Sequence, residues 1–233
     1  MSPQSDQQAR TARAIMRRMP TASLGTIDKR TGEPYVSFVP VALDHDGTPL
    51  LLLSDLSEHT LNIGADARVS LLFDATREKD VQADGARLTF QGHIAKTADP
   101  RHARRYLARH AYAEMYAGFG DFNFHAVEGR HAHLVEGFGR ARWLRTRDFL
   151  LSPEINGRLD ALEVEWIGRE IGPYRVTGLD PDGIDLRAMS ASAEEGGAFG
   201  VTARIAAAQP LFEPADFEQL ASSLAEETRT SME

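Results

Sequence analysis

Cysteine is absent from all 233 residues. That excludes disulfides, thiolate nucleophiles, iron–sulfur clusters and cysteine zinc sites, and it fits a reducing compartment. Long apolar runs are missing as well: stretches such as Pro49–Leu53 fall far short of the roughly 20 residues that cross a bilayer. The N-terminus has no signal-peptide core, because Gln4–Arg18 is polar and Arg-rich. It reads first as an amphipathic helix over residues 1–19, ending before Pro20, with Ala14, Ile15 and Met19 turned inward, and second as a transit-like peptide. Excess positive charge is also lacking. With 34 acidic against 26 basic side chains the formal net charge is −8, which repels phosphate backbones and anionic lipid and argues against nucleic-acid or membrane partners. The expectation is a cytoplasmic protein that handles a small-molecule cofactor and substrate. Histidine is missing from residues 134–233, all eight lying earlier. No phosphate-binding Gly loop, dinucleotide fingerprint or nucleophile elbow is found; Gly118-Phe119-Gly120 precedes a strand, not a helix.

What is there is dominated by short alternating strands. Ala22–Asp28, Tyr35–Leu43, Leu50–Ser54, Val69–Asp74 and Arg87–Lys96 read as strands, with Asp44-His45-Asp46-Gly47 as a hairpin turn. A short helix is expected over Ser57–Ala67 and an exposed loop over Thr76–Gly85. A further helix opens at Asp99-Pro100 and runs to about Tyr116. Two more strands follow, near Phe122–Glu128 and His131–Leu144. The pattern then changes, and the boundary falls near 146–151. Ser152-Pro153-Glu154 opens a helix with Ile155, Leu159, Leu162 and Trp166 on one stripe. Strands Tyr174–Leu179, Gly183–Ala188 and Gly200–Ala208 follow. A last helix, Pro214–Thr228, turns Phe217, Leu220 and Leu224 inward. Many short strands with helices at the margins predict a small barrel and not a parallel α/β sheet.

The most informative segment is Leu51–Asn62, an apolar strand running into a polar loop and a short helix. Ser54, Ser57, Thr60 and the first backbone N–H groups of that helix suit an anion, and His59 adds a donor. Spacing alone favours the plainer alternative, in which Ser57 is a simple cap and Glu58 offsets the dipole. Arg87, Thr89, Gln91 and His93 form one polar strand face, either solvated or lining the groove of a planar cofactor, where Arg87 pairs with a phosphate or ring carbonyl. His131 and His133 share a face at a metal-chelating spacing, but no third ligand is specified, so no metal site is assigned. His102 and His110 read as surface residues.

These same residues carry a family likeness. Leu53-Ser54-Asp55-Leu56-Ser57-Glu58-His59-Thr60, with Asn62, resembles the phosphate-binding stretch of flavin-binding split barrels, as do Pro34–Ser37 and Val69–Leu72. Arg87–Gly92 is similar to their later cofactor-lining strand. His133-Leu134-Val135-Glu136-Gly137-Phe138-Gly139-Arg140-Ala141 resembles the signature of the HugZ-type haem-utilisation branch of the pyridoxamine 5'-phosphate oxidase-like superfamily. The tail, with Asp182–Leu186, resembles that branch's small C-terminal domain. The resemblance implies a mainly β fold with α: an FMN-binding split β-barrel over residues 1–146, then a small α-β-β-β-α (α+β) domain over 152–230. It implies a homodimer with FMN between subunits, His59 and Thr60 at the phosphate, Arg87 and Thr89 along the groove, and Ser37, Ser54 and Asn62 in support. The function expected first is an FMN-binding oxidoreductase, a flavoprotein. It is not a true vitamin B6 oxidase, since the Arg- and Trp-containing C-terminal substrate motif is missing. The alternative is a haem-binding or haem-degrading oxygenase of the HugZ type. The histidine-free C-terminal region then leaves His125 and His133 as haem-site residues, or Tyr174, Met189 or a partner subunit's His as axial ligand. A second alternative is a non-catalytic regulatory binding protein.

Overall fold

The computed structural model describes residues 3–76, 81–189 and 202–230. Twelve strands are present among them: β1 Thr21–Ile27, β2 Pro34–Pro40, β3 Ala42–Leu43, β4 Pro49–Ser54, β5 Arg68–Asp74, β6 Arg87–Lys96, β7 Phe122–Val135, β8 Ala141–Arg145, β9 Glu170–Ile171, β10 Tyr174–Asp180, β11 Gly183–Ala188 and β12 Thr202–Ala206. The helices are α1 Pro3–Arg18, α2 Glu58–Ala65, α3 Pro100–Arg109, α4 Glu114–Ala117, α5 Glu154–Trp166 and α6 Pro214–Thr230. β1–β8 form one antiparallel sheet in the order β2-β1-β5-β6-β7-β4-β3, with β8 added to β7. The sheet curls until β2 meets β4, which makes a split β-barrel. β9–β12 form a separate four-stranded sheet flanked by α5 and α6.

Strand alternation drives the barrel. Leu24, Leu71, Phe73, Leu88, Phe90 and Leu134 all turn inward and are buried to 1% exposure or less. α1 closes the barrel end with Ala12, Ile15 and Met16. Ala14 is exposed and Met19 only partly buried, a shift from the expected inward face. The cause is chemical: the stripe beside Ile15 includes Arg13 and Arg17, which are buried because they have carboxylate partners. The second core, around Ile155, Leu159, Trp166, Leu179, Ile184 and Phe217, draws only on residues after 150.

Several elements differ from the sequence expectation. The helix expected from Asp99 to Tyr116 stops at Arg109 and resumes as α4, because His110 leaves the helical region at φ −120°, ψ 65°. Phe122–Glu128 and the start of the next expected strand are one fourteen-residue strand, β7. Arg130 bulges out of it, and β8 begins only after the Gly137–Gly139 turn. At the bulge, β6 and β7 approach so closely that a Cβ on Gly92 would lie 2.1 Å from the Glu128 carbonyl oxygen. Residues 200–201 of the expected strand, and 77–80 of the expected loop, lie outside the described residues.

The two sheets are joined by buried charge. Arg13 grips Asp182 through two nitrogens at 2.9 Å, and Arg17 lies 3.3 Å from Asp180. Arg105 of α3 pairs with Glu163 of α5 and donates to the Leu179 carbonyl at 3.0 Å. His45, fully buried, sits 3.3 Å from Glu163. Burial pushes the Asp44 carboxyl up, but hydrogen bonds from His102, His45 and Arg101 outweigh it and hold the group well below the carboxylate range. His102 and His110 are therefore not surface residues. His102 bonds Asp44 at 3.0 Å, and His110 is 5% exposed.

Candidate functional site

Residues directly opposite one another in antiparallel strands share a face. The pairings Phe38–Ser23, Ser23–Leu72, Leu72–Thr89, Thr89–His133 and His133–Trp143 therefore draw a row across the outer face of the large sheet. A parallel row runs Val36–Gly25–Ser70–Gln91–His131–Arg145. Arg87, opposite both Asp74 and Val135, stands at the margin. Small residues in the middle (Ser23, Gly25, Ser70) keep this surface flat. Its rims are apolar and exposed: Val36 at 66%, Phe38 at 71% and Trp143 at 63%. The His133 ring stacks on Trp143, centroids 4.8 Å apart and planes 26° from parallel. A shallow groove of about 360 Å³ beside Phe38, Leu72 and Asp74 continues the surface. Arg87, Thr89 and His133 thus meet on one face. Phe38, Leu72 and Trp143 were not singled out from the sequence; the strand register is the signal that finds them.

A second locus gathers Ser37, His59 and His125. β2 alternation turns Ser37 away from the outer face, and its hydroxyl lies 3.1 Å from His59 Nδ1. His125 is 2% exposed, and its Nδ1 donates to the Asn123 carbonyl at 2.9 Å, which leaves Nε2 as the ring's acceptor nitrogen. Burial lowers the pKa of both histidines; for His125 the Asn123 carbonyl opposes it, and the neighbouring Lys96 and His59 add to it. Both imidazoles are accordingly neutral at physiological pH, the form that binds metal or accepts a proton. Asp55 stands alongside, held by Lys96 at 2.9 Å and Asn123 at 3.0 Å.

The remaining expected residues brace the β4–α2 corner. Ser54 donates to Asp121 at 2.6 Å and accepts from the Leu56 N–H. Thr60 shares a 2.8 Å hydrogen bond with Ser57, whose hydroxyl also meets the Ser54 carbonyl and does not cap α2. Asn62, fully buried, accepts from the Lys29 N–H and donates to Thr26. Among the described residues no group of three or more His, Asp or Glu side chains is placed to hold a metal ion. None of the described helices is long and apolar enough to cross a membrane.

Fold and face together define a split-barrel protein with one open, aromatic-edged sheet surface and two neutral histidines at a barrel corner. Residues 3–150, more than half of the chain, match the family model described as CREG, beta-barrel, and the chain belongs to that family. It is 34% identical over 116 residues to the chloroplastic non-canonical heme oxygenase HOZ of Arabidopsis thaliana, a match covering 48% of this chain and 35% of that protein. The chain thus spans about a third of that curated relative. Among solved structures it resembles the protein Atu2129 of Agrobacterium tumefaciens, with a TM-score of 0.72, 22% identity and coverage of 96% and 98% of the two chains. It also resembles a heme binding protein from Mycobacterium smegmatis, with a TM-score of 0.57, 23% identity and 99% coverage of both chains. These two likenesses concern the fold.

Proposed function

We propose that the protein binds haem on the outer face of its large sheet, with His133 as the iron ligand, and that it works as a homodimer whose second copy covers that face. The observation that carries this is the stack of His133 on Trp143 in a flat row with Thr89 and Leu72. A planar macrocycle needs a flat apolar floor, one nitrogen ligand and cations near the rim for its carboxylates. The row supplies a flat floor with apolar edges and one imidazole, and Arg87 at its margin supplies the third. When bound, haem brings redox-active iron. The chain's own residues would fix the imidazole plane through Trp143, and Leu72 and Phe38 would offer apolar surface further along the floor. The similarity to a heme oxygenase across half of this chain supports the same reading. Exposed apolar rims at Val36, Phe38 and Trp143 support a second copy, since monomers rarely leave such a surface open.

A second reading, an FMN-dependent oxidoreductase, is favoured by the Ser37–His59 pair beside the start of α2, where Ser57 leaves the helix uncapped. One experiment separates the two. The purified chain is titrated with haem and with FMN in parallel, following the Soret band and flavin fluorescence. We expect a saturable Soret shift that His133→Ala abolishes or weakens and His125→Ala leaves intact. An absent shift, or one unchanged in His133→Ala, overturns the haem assignment. Quenched flavin fluorescence sensitive to His59→Ala would put FMN in its place.

A further inference from the structure

Among the described residues β8 pairs with β7 on one side and with no strand on the other. The Glu136 N–H donates to the Arg140 carbonyl at 2.9 Å, which sets the parity of this ladder. Leu134–Arg142 and Ala132–Leu144 are therefore the hydrogen-bonded pairs, and Ala141, Trp143 and Arg145 turn their N–H and C=O groups away from β7. No backbone partner meets those groups among the described residues. Four of the five residues of β8 are exposed, Leu144 alone being half-buried.

An unpaired edge is a template for another strand, and native sheets guard it with proline, bulges, charge or a covering element. β2, at the far end of the same sheet, is bracketed by Pro34 and Pro40 and curls onto β4. β8 has no proline, and its ladder with β7 runs without a register shift. Its guard is charge, and all of one sign. Between residues 129 and 147 stand five arginines and a single carboxylate, Glu136, in a chain whose net charge is −8. Asp148 answers two of the five, Arg145 at 2.7 Å and Arg147 at 3.9 Å. Arg140 donates to the Glu136 backbone carbonyl at 2.6 Å. Arg142, in the middle of the edge, has no hydrogen bond or ion pair among the described residues. Strand alternation puts Arg142 and Leu144 on one face and Trp143 on the other. A second copy of β8 would bring another set of arginines alongside, and like charges across a ladder repel. A strand that carries carboxylates turns the same guard into an attraction.

We propose that β8 is a docking edge for an extended, acidic segment of a partner protein, which adds a strand to the large sheet. The backbone of the segment bonds Ala141, Trp143 and Arg145. Its carboxylates lie beside Arg142, and the side chains that alternate with them lie beside Trp143. Strand addition uses the backbone edge and not the outer face of the sheet, so it is independent of haem.

The test titrates the full chain, without haem, against three labelled peptides followed by fluorescence anisotropy. One alternates valine with glutamate, one alternates valine with lysine, and one is an N-methylated copy of the first, which lacks backbone donors. We expect saturable binding of the unmodified glutamate peptide alone. Arg142→Glu should weaken it about fivefold or more and admit the lysine peptide instead. Ala141→Pro removes one N–H from the open edge without touching the β7 ladder and should also weaken binding. Arg142 is exposed, so Arg142→Glu keeps the test decisive even if Ala141→Pro fails to fold by circular dichroism. No binding of the glutamate peptide, equal binding of the lysine or N-methylated peptide, or unchanged binding in Arg142→Glu overturns the proposal. If Ala141→Pro dissociates a dimer of the free chain in sedimentation velocity, the edge belongs to a second copy and the proposal is likewise overturned.

Discussion

His110 should make the protein acid-sensitive in a calculable way. It caps α3, its Nε2 donates to the Val41 carbonyl at 3.0 Å, and its ring packs 4.9 Å from that of Tyr106. Burial lowers its pKa from 6.5 to about 4; the Val41 carbonyl opposes the shift, and Arg109 and Arg187 add to it. Between those two values the unfolded chain holds a proton that the folded chain refuses. The contribution is complete above the unfolded value and is lost as pH falls toward the folded one. Integrated down to about pH 5, the loss from this single residue is about 2 kcal/mol. His110→Gln is the clean perturbation, because the amide can keep a donor toward Val41 but does not titrate. Urea unfolding of both proteins at neutral pH and at about pH 5 gives a difference of differences, in which every other titrating group cancels. The pH dependence of the variant should be flatter by about 2 kcal/mol. Equal pH dependence in the two proteins would refute the argument.

Four further substitutions test other parts of the structure. Gly92→Ala drives a Cβ into the Glu128 carbonyl and should cost about 1–3 kcal/mol in urea unfolding, whereas Gly64→Ala, in open space on α2, should stabilise by about 0.5–1 kcal/mol. Glu163→Gln strips the carboxylate from buried Arg105 and His45 and should cost about 3–5 kcal/mol, read from the same unfolding curves; a loss below about 1 kcal/mol would mean that water reaches the cluster. Phe38→Glu places a charge on the proposed dimer face and should yield a monomer in sedimentation velocity with an unchanged fold; a persistent dimer would move the interface elsewhere.

Strand parity made much of this legible. The alternation in Arg87–Lys96 puts Arg87 and Thr89 on one face, and the His131/His133 spacing puts those two histidines on one face of another strand; only the β6–β7 register brings the two sets together. Parity does not say which face is inward, however. Phe38 and Val36 have the chemistry of a core and lie on the surface, while Ser37 points toward His59. Nor does it reveal pairings across the chain: Trp143 reaches His133 only because β7 and β8 pair in that register. The charged clasp was invisible for a different reason. Arg13, Arg17, Arg105 and Glu163 look like ordinary solvated residues on amphipathic helices, and only the approach of the second sheet buries them. The histidines at 102 and 110 differ from expectation for the same reason, since each is drawn in by a tertiary partner: His102 is partly buried against Asp44, and His110 is buried against the Val41 carbonyl.

The Arg13–Asp182 clasp also orders events during synthesis. The two residues are 169 positions apart in the chain. At 5–20 residues per second, a ribosome needs roughly 8 to 34 s to deliver the aspartate after the arginine has appeared. Through that interval the two buried guanidinium groups of α1, Arg13 and Arg17, lack their carboxylates, so its apolar stripe settles on the barrel only by burying charge met by backbone carbonyls alone. The barrel's first helix is thus among its last parts to dock, and a ribosome stalled before Asp180 would hold a nascent chain with an open barrel end for a chaperone to cover.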